Sequence, residues 1–153
     1  MENAGTFFTQ SQAELVTAIL DRIIPANGSM PGAGRIAVDF IDRTVGGSPV
    51  LKRSFAGGLS ELEIHAQTAH GQDFINLSLE EQDTVLLRTE NSQPEFFDSL
   101  VRQTYDGYYS NATVLEALGL EARPPHPRGY QTNQGNLDML ENVRRRGTAY
   151  RQV

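Results

Sequence analysis

The sequence predicts an all-α fold: a compact single-domain helical bundle of about five to six helices, followed by an extended proline-rich C-terminal arm. Three observations predict it. Apolar residues recur at three- and four-residue spacing through most of the chain up to Tyr109. Helix start and stop signals punctuate those stripes at the right places. Alternation of period two over strand length is hard to find, and no internal repeat or low-complexity tract is present. The composition shift near Leu120 divides the chain into a helical domain, 1–120, and an arm, 121–153.

The elements follow in order. Thr9-Gln10-Ser11-Gln12 reads as a capping box, in which the Thr9 hydroxyl takes an orphan backbone N–H and Gln12 reaches back. Leu15, Val16, Ile19, Leu20, Ile23 and Ile24 then form one helical stripe, which Pro25 stops. Residues 26–34 (ANGSMPGAG) are turn and loop chemistry. A second helix is predicted over 35–45, with Ile36, Phe40, Ile41 and Val45 inward and Gly46-Gly47 ending it. Ser48-Pro49 is an N-cap followed by proline at the first helical position. The helix it opens carries Leu51, Phe55, Leu59, Leu62, Ala66 and Ala69 on one face and stops at Gly71. Gly57-Gly58 inside it costs roughly 1 kcal/mol per residue relative to alanine, so a kink or a close helix contact is expected there.

Ser78-Leu79-Glu80-Glu81 is a second capping box, opening a helix to about Thr89. Pro94 restarts a helix through Phe96, Phe97, Leu100, Val101, Tyr105 and Tyr108, and a short one follows near 113–118. Residues 121–133 (EARPPHPRGYQTN) surround His126 with three prolines in four positions and read as extended, partly polyproline-like chain. Residues 137–153 carry only a weak apolar stripe of Leu137, Leu140 and Val143.

Composition narrows function by exclusion. At 153 residues one self-supporting core is feasible, since a domain of this size buries roughly 68–70% of its unfolded surface. Thirteen basic against 19 acidic residues give a net charge of −6, opposite to the basic face a general nucleic-acid binder needs. Lys52 is the only lysine and so the only candidate for Schiff-base chemistry. Absence of cysteine removes thiol nucleophiles, disulfides, Fe–S clusters and Cys-containing zinc sites. No stretch approaches 18 apolar residues, so membrane insertion is not expected. The opening Met1-Glu2-Asn3-Ala4 has neither a positive n-region nor an apolar h-region. A cytoplasmic location is therefore expected, or a periplasmic one if a signal was removed or a partner carries it.

Few motifs point to chemistry. Gly32-Ala33-Gly34-Arg35-Ile36-Ala37 matches G-x-G-x-x-A, but that fingerprint needs a preceding strand, and here a helix and a proline precede it. It reads as a plain loop leading into a helix. His65 and His70 are five apart, about 140° around a helix, unlike the i, i+4 pair of a zinc helix. Glu61 and His65 are i, i+4 neighbours, and no third ligand is implied. There is no G-x-S-x-G elbow. Asp21, Asp39 and Asp42 sit beside core-facing residues near Arg22 and Arg43, where capping or ion pairing is the expected role. Arg144-Arg145-Arg146 is a basic run suited to solvent or to an acidic partner.

Aromatics say more. In Phe7-Phe8, Phe96-Phe97 and Tyr108-Tyr109, adjacent rings point to different sides, so one of each pair must leave the simple core stripe. Such leftover aromatics suit a surface that something covers. The partner interface is accordingly expected to use Phe7, Phe8, Tyr108 and Tyr109, together with Pro124, Pro125, His126, Pro127 and Tyr130 of the arm.

Taken in order, Phe7-Phe8-Thr9, Asp21-Arg22-Ile23-Ile24-Pro25, Pro31-Gly32-Ala33 and Phe40-Ile41-Asp42 resemble the gluconate 2-dehydrogenase subunit 3 family. Residues 74–82, then Phe96-Phe97 through Gly107-Tyr108-Tyr109-Ser110, fit the same pattern, so the resemblance covers roughly 6–130. It implies a non-catalytic small subunit with no cofactor or metal of its own. Such a subunit binds, stabilises or helps fold a large FAD-dependent oxidoreductase of the glucose–methanol–choline type that oxidises sugars or glycosides. The resemblance implies a hetero-oligomer whose FAD sits in the large flavoprotein subunit. Many members carry a twin-arginine signal, and this sequence departs from that pattern. Two rivals stand beside this expectation. One is a stand-alone helical enzyme or ligand-binding protein using His65, Asp21 or His126. The other is an adaptor that meets an acidic partner through Arg144 to Arg146.

Overall fold

The computed structural model describes residues 7–120 and 137–147, which fall into two compact units, Met1–Ala122 and Arg123–Val153. The described part of the first unit holds six α-helices: α1 Gln10–Ile23, α2 Ala33–Gly46, α3 Pro49–His70, α4 Leu79–Ser92, α5 Pro94–Tyr109 and α6 Ala112–Ala117. A 3-10 turn, Phe74–Asn76, links α3 to α4. In the second unit a 3-10 turn, Leu137–Leu140, leads into α7, Glu141–Arg145. No strand occurs among the described residues, so the fold is all-α.

Local chemistry sets the helix starts. Thr9 accepts the Gln12 N–H at 3.3 Å while Gln12 takes the Thr9 N–H at 3.0 Å. Ser78 and Glu81 do the same, with the Ser78 N–H donating to Glu81 Oε2 at 2.9 Å. Ser48 caps α3 ahead of Pro49, and Asn111 caps α6. At the other end of α3, Gly71 adopts φ 69°, the left-handed C-terminal conformation that glycine reaches without strain.

The second helix begins earlier than its sequence pattern predicts. Gly32 is the N-cap, and Ala33 and Gly34 already lie in the first turn, so the glycine motif is a helix start rather than loop throughout. The missing cap comes from another helix: Asp21 of α1 accepts the Gly34 N–H at 2.8 Å. A side chain 13 residues away cannot be read from local pattern. The fourth helix also runs past the expected Thr89, to Ser92.

The core is assembled from α1 to α5. Val16, Ile19 and Leu20 of α1 meet Ala37, Ile41 and Val45 of α2, while Phe55, Leu59 and Leu62 of α3 join Val85 of α4 and Leu100 of α5. Ile23 and Ile24 are only half-buried, and Ala69, expected on the inner face of α3, is exposed. Gly58 realises the close contact expected of the Gly57-Gly58 pair. A Cβ there would overlap the Phe96 ring of α5, whereas one at Gly57 would meet nothing. Phe96 in turn packs edge-on against Phe55, with centroids 5.3 Å apart.

Candidate partner interface

Each adjacent aromatic pair divides between a more and a less buried ring, by helical geometry in the two pairs that lie on α5. Phe96 is buried and Phe97 half-buried; Tyr108 is buried and Tyr109 is 48% exposed. Phe8 is buried and Phe7 half-buried. Phe8 and Tyr108, expected at a partner surface, therefore belong to this chain's own core. Phe8 lies against Phe55, and its backbone N–H donates to the buried Asp42 Oδ1 at 2.7 Å. The Tyr108 hydroxyl donates to the Pro31 carbonyl at 2.7 Å, tying α5 to the loop ahead of α2, and burial pushes its phenol pKa up. Phe7 stacks edge-on to Phe8 under Lys52 Nζ, 6.0 Å from its ring. Pro124, Pro125, His126, Pro127 and Tyr130 lie outside the described residues.

The candidates of the enzyme reading bond to different helix pairs. Asp21 joins α1 to α2 through Gly34. His65 of α3 is buried against α4. Thr89 donates its hydroxyl proton to the Val85 carbonyl at 2.9 Å, so at 3.2 Å it accepts from His65 Nδ1. His65 Nε2 faces Glu61 Oε1 at 3.3 Å. His70 is directed elsewhere, with Nδ1 3.3 Å from Glu81 Oε1. His126 lies outside the described residues. Among the described residues no three His, Asp or Glu side chains converge on a point that could hold a metal. Asp39 is exposed; of the capping or ion pairing expected, Asp21 caps α2 through the Gly34 N–H, while Asp42 accepts the Phe8 N–H ahead of α1.

A surface feature arises where α1, α4 and α5 meet. A groove of about 460 Å³ is lined by Ile23 of α1, Leu86 and Leu87 of α4, and Phe97, Val101 and Tyr105 of α5. Leu87 is 59% and Tyr105 46% exposed, and the two face the same groove. Tyr109 extends the apolar strip, its ring 6.0 Å from Tyr105 and edge-on to Tyr108 at 5.1 Å. Arg22 closes the rim with a two-pronged bond to Asp83, Nε to Oδ1 at 2.8 Å and Nη2 to Oδ2 at 2.7 Å. The hydrogen bonds from Arg22 hold the Asp83 carboxyl below its ordinary range. That fork links α1 to α4 at the rim of the groove.

Two further grooves flank α1, and both include the exposed Ile75. One contains Glu63, whose pKa burial pushes up while its bond from the Phe74 N–H opposes the shift. These grooves hold polar side chains such as Gln10, Gln67 and Asp73. The α1–α4–α5 groove is the one of the three lined mainly by large apolar side chains.

Leu87 was not among the residues expected at an interface. A signal for it exists in the sequence: Val85-Leu86-Leu87 spans too wide an arc for one inward stripe, so one member must face out. Val85 and Leu86 are buried and Leu87 is the one displaced.

Comparison with curated proteins and with solved structures returns no significant match. The family model described as gluconate 2-dehydrogenase subunit 3 matches residues 10–121, nearly three quarters of the chain and all six helices of the first unit. The chain belongs to the gluconate 2-dehydrogenase subunit 3 family.

Proposed function

We propose that this protein is a non-catalytic small subunit that binds and stabilises a large flavin-dependent oxidoreductase acting on sugars or glycosides. The FAD and the redox chemistry belong to the large subunit, and this chain supplies a folded helical surface. The observation that carries the reading is the apolar groove between α1, α4 and α5 in a chain of this family. Leu87, Tyr105 and Tyr109 leave apolar area in water that a partner would cover, and hydrophobic burial is the main drive of association. Aromatic side chains of this kind anchor protein interfaces, with large contact area at small entropy cost. Around the groove, Phe96 packs α5 against α3 and the Arg22–Asp83 fork joins α1 to α4.

The test is co-expression with a large flavin-dependent sugar dehydrogenase from the same source, followed by size-exclusion chromatography read at the flavin absorbance band. Co-elution is expected, with soluble flavoprotein falling when this chain is omitted. Leu87→Asp with Tyr105→Glu should abolish co-elution while leaving the helical circular dichroism unchanged, since both side chains are exposed. A flavoprotein that is soluble and active alone, with this chain eluting separately, would overturn the reading.

A further inference from the structure

Asn27-Gly28 sits at the tip of the loop between α1 and α2. Asn27 and Met30 face each other across a two-residue turn, each backbone N–H bonding the other's carbonyl at 3.0 Å. Gly28, the first residue of that turn, adopts φ 58°, a conformation open to it because it lacks a side chain. Residues 25–29 are exposed, and nothing lies within 4 Å of the place a Gly28 Cβ would occupy. The Asn27 side chain makes no hydrogen bond to another described residue, and the Gly28 N–H donates none. The other described asparagines differ. Asn91 lies in α4 and donates to the Leu87 carbonyl at 2.7 Å, and Asn111 accepts the Thr113 N–H at 2.9 Å as the cap of α6. Asn76 is followed by Leu77, whose N–H already bonds the Phe74 carbonyl, and Asn142 lies inside α7 ahead of the branched Val143.

We propose that Asn27-Gly28 is a self-modification site, at which the folded chain converts Asn27 to aspartate and isoaspartate ahead of its other described asparagines. The Gly28 backbone nitrogen attacks Asn27 Cγ, and the new N–Cγ bond closes a succinimide ring. The Cγ–Nδ2 bond breaks, and the amide nitrogen leaves as ammonia with the proton that Gly28 gives up. Water then opens the ring at either carbonyl, giving one peptide bond and one carboxylic acid, with no oxidant or reductant consumed. Attack within one dipeptide needs no encounter between molecules, and the bare Gly28 Cα leaves the nitrogen unobstructed. Closing the ring requires the turn to release its two Asn27–Met30 bonds, and an exposed turn opens at far lower cost than the whole fold. The new carboxylate takes the net charge from −6 to −7. In the isoaspartyl product the main chain runs through the former side chain, which adds a methylene between the paired residues. That insertion loosens the loop from which Pro31 accepts the Tyr108 hydroxyl and which leads into α2.

The experiment incubates the full chain in mildly alkaline buffer well below its melting temperature, with helical circular dichroism recorded throughout to show that it stays folded. Isoelectric focusing should show a more acidic species growing with time. Mass spectrometry of tryptic peptide 23–35 should find Asn27 replaced by both aspartate and isoaspartate, before any change at Asn76, Asn91, Asn111 or Asn142. Asn27→Ser should lack that first acidic species and keep the same circular dichroism, since the replaced side chain is exposed and bonds no described residue. The same chain unfolded in urea serves as the reference. An intact Asn27 in the folded chain, alongside a modified one in urea, would mean that the turn protects the site and would overturn the proposal. So would conversion of the four other asparagines at the rate of Asn27, or an unchanged acidic species in Asn27→Ser.

Discussion

Gly57 and Gly58 are adjacent in the middle of α3, and the structure assigns them opposite responses to one added methyl group. Each glycine loses about 1 kcal/mol of helix propensity relative to alanine. At Gly57 a Cβ meets open space, so Gly57→Ala should stabilise by about 0.5–1 kcal/mol. At Gly58 a Cβ overlaps the Phe96 ring, which is 2% exposed and held edge-on by Phe55, leaving it no free direction. Overpacking of a rigid core contact costs roughly 1–3 kcal/mol, so the propensity gain is cancelled or exceeded. The two variants should therefore differ by about 1–3 kcal/mol. At roughly 2–4 °C per kcal/mol for a chain of this size, their melting temperatures should separate by about 6 °C, Gly57→Ala being the higher. The assay is thermal and urea denaturation of both variants, repeated in a Phe96→Leu background. There the Gly58→Ala penalty should shrink by at least about 1 kcal/mol, because the obstructing ring is gone. If Gly58→Ala stabilises as much as Gly57→Ala, the packing of α5 on α3 through this glycine is wrong.

Three further outcomes can be checked by the same methods. Asp42→Ala should cost about 1–3 kcal/mol by orphaning the buried Phe8 N–H, while Asp42→Asn, which keeps an acceptor, should cost less; equal losses in urea titration would deny that bond its role. Tyr108→Phe should lower stability by about 1 kcal/mol through loss of the bond to Pro31, with partner affinity unchanged because the ring is buried. Glu63 and Asp83 should act in opposite directions with pH. Folding raises the Glu63 pKa, so its contribution favours the fold below its unfolded pKa and is lost as pH rises through the folded value. Glu63→Gln should therefore be neutral to stabilising at pH 7. Folding lowers the Asp83 pKa, so its contribution is present above the unfolded pKa and lost as pH falls through the folded value. Because Asp83 is half-exposed, Asp83→Asn should cost less than about 1 kcal/mol at neutral pH and nothing in strong acid, as stability curves against pH would register.

Sequence by itself determined the local structure of this protein. The two capping boxes, Ser48-Pro49, Pro94 and Gly71 act within one turn of the chain, so their residues carry the whole signal. The apolar stripes of α1 to α5 are equally local, because helical periodicity alone decides which positions share a face. Family membership was legible from short motifs in a fixed order, and the match over 10–121 agrees with it.

Tertiary structure decided what each side chain does once the helices meet. Which ring of an aromatic pair turns inward depends on the neighbour it finds: Tyr108 reaches the Pro31 carbonyl 77 residues away, and Tyr109 is left outside. Phe8 is drawn into the core by Asp42 and Phe55, against the expectation that it waits for a partner. The start of α2 depends on an Asp21 carboxylate supplied by α1. The candidate interface is likewise a product of assembly, since Ile23, Leu87 and Tyr105 come from three helices and line one groove only where α1, α4 and α5 pack together. Helix formation is governed by spacing along the chain, whereas a groove is governed by distances across it, and those distances are set by packing.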